Sequence, residues 1–139
     1  PAIRDDEQVA LISKGGYVLL DHPDPKLLFI ATGSEVNIAI QAARELKVAG
    51  ISARVVSMPC AELFCLQDKE YRDRVLPPNL LNRIAIEALH KDYWYKFVGL
   101  SGIVIGMETF GESAPGDVLM QEFGFTKKNL VNVAKGMLS

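Results

Sequence analysis

The 139 residues are 49% apolar and 23% charged, with a formal net charge of −2 and a pI near 5.7. A chain of this length can bury one sizeable core, and its composition is that of an ordinary globular domain. A weakly acidic chain whose only basic doublet is Lys127-Lys128 has no field to gather nucleic acid or an anionic membrane, and no apolar run nears the roughly 20 residues of a bilayer span.

In chain order, residues 1–15 are polar with apolar positions at Val9, Leu11 and Ile12, which reads as a linker or short helix stopped by Gly15-Gly16. The segment lacks the charged-then-apolar order of a signal peptide, so a cytoplasmic location is expected. A first residue of Pro1 is compatible with a piece of a longer polypeptide. "GYVLLD" then predicts a short strand, "HPDP" a turn, and "KLLFIAT" a strand covered on both faces. From Val36 the spacing becomes helical: Val36, Ala39, Ile40, Ala43 and Leu46 share one face, and Gly50 follows as a carboxyl cap.

"ISARVVSMP" predicts a second inner strand stopped by Pro59. "CAELFCLQ" and "DKEYRDRVLPP" predict two short helices, the second capped by Asp68. "NRIAIEAL" is a third inner strand, "DYWYKFVGL" an aromatic helical turn and "GIVIGM" a fourth apolar strand. "SAPGDVLMQEFG" and "TKKNLVNVAKGML" close the chain as helices, with Ser113 and Thr126 as cap candidates. The alternation predicts a three-layer α/β/α domain over residues 16–139, with a mainly parallel, mixed sheet of about five strands. The turn after "GYVLLD" is too short for a parallel crossover, so the first strand is expected antiparallel at an edge.

Thr32, Gly33, Ser34 and Glu35 sit where a strand meets a helix, a position that favours anions in open parallel sheets. The stretch holds one glycine, no following Lys or Arg, and a carboxylate where a phosphate would lie. A capping box, with Thr32 as N-cap and Glu35 three positions on, accounts for all four residues. The anion site remains as a second reading, a small-ligand regulatory module.

Other chemistry is thinly signalled. Cys60 and Cys65 match neither a redox pair nor a zinc set and read as reduced, buried or half-buried thiols. "EALHKD" brings Glu87, His90 and Asp92 to a strand end, where an acid–base role competes with simple solvation. The cluster of Tyr93, Trp94, Tyr95 and Phe97 divides between core packing and a protein interface.

In the same order and at similar intervals, "GGYVL", "FIATGSEV", "ARVVSMP", "YRDRVLP", "DYWYKFVG" and "FGESAP…EFGFT" resemble the carboxyl-terminal domain of transketolase, from about Asp5 to the end. Leu89 and Met107-Glu108 depart from the pattern. The resemblance implies an enzyme that moves a two-carbon ketol unit between sugar phosphates in the pentose phosphate pathway, using thiamine diphosphate and a divalent metal (Mg or Ca). It implies that cofactor and substrate groups lie in upstream pyrimidine-binding and diphosphate-binding domains. Their G-D-G…N motif does not occur in these 139 residues, so no catalytic, cofactor or metal residue is carried over. What the resemblance implies for Trp94, Tyr95, Phe97, Phe110, Gly111, Glu112 and Ser113 is a structural role against neighbouring domains or a homodimer mate.

Overall fold

The computed structural model describes residues 10–33, 35–87, 95–106 and 127–139. A single turn of 3-10 helix, Leu11–Lys14, leads into β1 (Tyr17–Leu20). Then follow β2 (Leu27–Ala31), α1 (Glu35–Val48), β3 (Ala53–Ser57), α2 (Ala61–Cys65), α3 (Lys69–Val75), β4 (Arg83–Glu87), α4 (Tyr95–Val98), β5 (Ile103–Gly106) and α5 (Lys127–Leu138). The strands form one sheet in the order β1-β3-β2-β4-β5. All neighbours are parallel except β1, which runs antiparallel to β3 at one edge. The expected mixed sheet is therefore present, and its antiparallel strand pairs with β3 rather than with β2, its neighbour in sequence.

The central strand explains the layering. All five residues of β2 are buried; Leu27, Phe29 and Ala31 face one layer, Leu28 and Ile30 the other. The first layer holds Val36, Ala39, Ile40, Ala43 and Leu46 of α1 with Leu130, Val131 and Ala134 of α5. The second holds Phe64 of α2, Tyr71 and Val75 of α3, and Phe97 and Val98 of α4. Each large apolar side chain so buried stabilises the fold by roughly 1.5–3 kcal/mol. That is why an apolar run without alternation can only be an inner strand.

The helix ends follow their caps. Asp68 accepts from the Tyr71 N–H at 2.8 Å, starting α3 as its sequence predicts. Beyond α1, the Ile51 N–H donates to the Leu46 carbonyl and the Gly50 N–H to the Lys47 carbonyl, both at 2.9 Å, the two bonds of a Schellman ending. Gly15 has φ +85°, and a Cβ there would lie 2.4 Å from the Cys60 carbonyl oxygen and the Phe64 nitrogen. The Gly15-Gly16 pair lets the chain pass directly under the start of α2, where the Gly15 carbonyl accepts from the Cys60 N–H at 2.9 Å.

Candidate functional site

The carboxyl end of β2 is where the sequence directs attention. The strand stops at Ala31, and Gly33 turns the chain with φ +59°, a left-handed conformation. The Glu35 N–H donates to the Thr32 carbonyl at 3.2 Å, and the Val36 N–H to the Gly33 carbonyl at 3.3 Å. Helix α1 begins only at Glu35, so Thr32 is not its N-cap: a left-handed Gly33 cannot be the first helical residue. The expected capping box is replaced by a tight turn, and Ser34 lies outside the described residues. Two amide donors that an anion would need are directed at the turn's own carbonyls, and the Glu35 residue is buried at the helix start. This geometry does not favour an anion seat at Thr32–Glu35.

The opposite end of the sheet is more heavily built. Arg54 of β3 and Arg83 of β4 both sit in register with Leu28 of β2, one on each side. Arg54 grips Asp21 with two bonds of 3.1 and 3.0 Å and donates through Nη1 to the Arg74 and Val75 carbonyls at 2.8 and 3.1 Å. Arg83 donates through Nε to Leu80 O (2.8 Å), Nη1 to Phe97 O (2.7 Å), and Nη2 to Pro77 O (2.6 Å) and Leu76 O (3.3 Å). Two guanidiniums thus clasp the carbonyl end of α3, where the helix dipole is negative, and Arg83 fastens α4 as well. Partial burial lowers the Arg83 pKa from its usual value, because a charge held on carbonyls alone lacks full hydration. Neither arginine was singled out by sequence reasoning; the signal was a lone arginine at the start of two otherwise apolar inner strands.

The remaining sequence candidates are scattered. Phe97 is 5% exposed, its ring edge-on to Phe64 at 6.2 Å, so it fills this domain's own core. Trp94, His90, Asp92, Phe110, Gly111, Glu112 and Ser113 lie outside the described residues, as do the cap candidate Thr126 and the helix expected from "SAPGDVLMQEFG". Tyr95 begins α4. His22 occupies the turn before β2, at the end of the sheet opposite the close of β4 at Glu87. Cys60 and Cys65 are free thiols as expected but exposed rather than buried, because α2 turns Ala61 and Phe64 inward. Among the described residues, no three His, Cys, Asp or Glu side chains group to hold a metal, and no helix is long and apolar enough to cross a membrane.

Residues 15–126 match the family model described as the transketolase-like TK C-terminal domain. The chain belongs to that family. It is 55% identical over 137 residues to transketolase 2 of Aliivibrio fischeri, covering 98% of this chain and 21% of that protein. To transketolase 1 of Escherichia coli it is 54% identical over 136 residues, covering 97% and 20%. The solved transketolase of Leishmania mexicana superposes with a TM-score of 0.85 at 37% identity, over 94% of this chain and 19% of that one. The domain thus spans about a fifth of the length of the relatives it matches. The amide donors of the turn opening α1 are taken up by the turn's own carbonyls, an arrangement that does not favour a diphosphate there.

Proposed function

We propose that this chain serves as the carboxyl-terminal structural domain of a transketolase, packing on the pyrimidine-binding and diphosphate-binding domains and extending a homodimer surface. Ketol transfer between sugar phosphates is then an activity of the whole cytoplasmic enzyme, with thiamine diphosphate and a divalent metal held by sequence outside these 139 residues. Residues 1–15 lead into the domain and residues 16–139 constitute it. Trp94, Tyr95, Phe110, Gly111, Glu112 and Ser113 make the contacts with neighbouring domains or the dimer mate, while Phe97 holds α4 to the core from within. Leu100, wholly exposed beside α4, supports that surface, since a bare leucine next to an aromatic segment suits a protein contact.

The observation that carries the reading is the family match over residues 15–126, on a domain whose turn donors are bonded within the turn. Calorimetric titration of the chain with thiamine diphosphate and Mg²⁺ tests it. Heats no larger than dilution are expected; saturable, metal-dependent cofactor binding by this chain would contradict the proposal.

A further inference from the structure

The two helical layers carry different charge. On the first, α1 and α5 expose Arg44, Lys47, Lys127, Lys128 and Lys135 but a single carboxylate, Glu45. On the second, α2 and α3 with the cap residue Asp68 set Glu62, Asp68, Glu70 and Asp73 against Lys69, Arg72 and Arg74. Glu45 is itself neutralised by Lys127 at 3.2 Å. Among the described residues Arg44 and Lys128 have no carboxylate partner, in a chain whose net charge is −2. Beside these cations lies an apolar spot. Val48 is 89% exposed and shares a shallow depression with Gln41, Arg44, Glu45 and Lys127, where α1 meets the start of α5.

We propose that this face docks an acidic amphipathic helix of a separate protein, its carboxylates against Arg44, Lys127 and Lys128 and one apolar side chain over Val48. Such helices are read by an apolar anchor, while complementary charge around it steers the encounter and fixes the register. The aliphatic stems of Arg44 and Gln41 widen the apolar footing around Val48. Nucleic acid fits the face less well: Glu45 holds a carboxylate where phosphates would pass, and no aromatic lines the depression to stack a base. A separate protein is favoured over the upstream part of the enzyme because Gly15 carries the incoming chain against the start of α2, on the far side of the sheet. The face also lies opposite α4, so it stands or falls independently of the contacts proposed above.

The probe is an acetylated, amidated peptide of about 14 residues, glutamates flanking two leucines one helical turn apart. Titrated into the ¹⁵N-labelled chain at low salt, it is expected to saturate with a dissociation constant below about 1 mM, shifting the amides of Arg44, Val48 and Lys127. Arg44→Gln, Lys128→Gln and Val48→Ser should each weaken binding about threefold, and replacing the peptide's leucines by serine should do so about tenfold. Lys69→Gln, on the second layer, should leave it unchanged. A single-stranded oligonucleotide of equal charge should bind about tenfold less tightly than the peptide. Urea unfolding of each variant checks that the fold is retained. No saturation, full affinity in Arg44→Gln or Val48→Ser, an equal loss in Lys69→Gln, or tighter binding of the oligonucleotide overturns the proposal.

Discussion

Replacing Arg83 by Met tests the clasp on α3 and α4 most sharply. Methionine keeps the length and the apolar stem but removes every donor. Three of the four bonds are short, at 2.8, 2.7 and 2.6 Å, and the fourth is 3.3 Å. Charged donors contribute about 1.5–3 kcal/mol each in favourable cases, but Arg83 is only half-buried and water can reach some of the freed carbonyls. About 1 kcal/mol for each short bond gives a loss near 3 kcal/mol, a large part of the 5–15 kcal/mol that holds a domain folded. With a urea slope of about 2 kcal/mol/M, the unfolding midpoint should fall by about 1.5 M. Far-UV circular dichroism of the helices reports the transition. Arg83→Lys keeps the charge but cannot serve four carbonyls at once, and should lose more than half as much. A midpoint shift below about 0.3 M in Arg83→Met would refute the idea that this guanidinium fastens the layer.

Tyr71 donates its hydroxyl to the buried Gly16 carbonyl at 2.8 Å, so Tyr71→Phe should cost about 1–2 kcal/mol by thermal or urea unfolding. Burial raises the Tyr71 pKa, with Arg74 acting weakly the other way. The folded state therefore holds the phenol proton to higher pH than the unfolded chain does, and that stability is complete below about pH 10 and declines above it. The alkaline decline should be shallower in Tyr71→Phe. Gly15 and Gly50 both have φ +85°, but only Gly15 would drive a Cβ into backbone atoms; Gly50→Ala should cost about 1–2 kcal/mol and Gly15→Ala clearly more. Asp68→Ala should cost about 1 kcal/mol through loss of the α3 cap, readable as a matching drop in the urea midpoint.

The layered fold was legible because its signals are local and strong. "KLLFIAT" shows no alternation, and the structure buries all of β2. The α1 stripe names the residues that pack on the sheet, and Asp68 caps α3 as its side chain predicts. Where local signals stop, so did the reading. The antiparallel sense of β1 follows from a short turn, yet its partner, β3, is a non-local choice that a turn cannot encode. The T-x-x-E spacing at Thr32 satisfies a capping box and equally a tight turn before a later helix start, and the left-handed Gly33 decides for the turn. Arg54 and Arg83 were passed over because an arginine among apolar strand residues carries no periodic signature. Their meaning appears only when register sets both beside Leu28 and the end of α3 lies across them.

The central claim is that this domain supplies scaffold and no reacting group. A chimera tests it most directly: residues 1–139 replacing the aligned stretch of the Escherichia coli enzyme, to which they are 54% identical, assayed for ketol transfer after dimer formation and cofactor loading are verified. The account predicts turnover close to that of the parent enzyme. A dimeric, cofactor-loaded chimera with no turnover would contradict it.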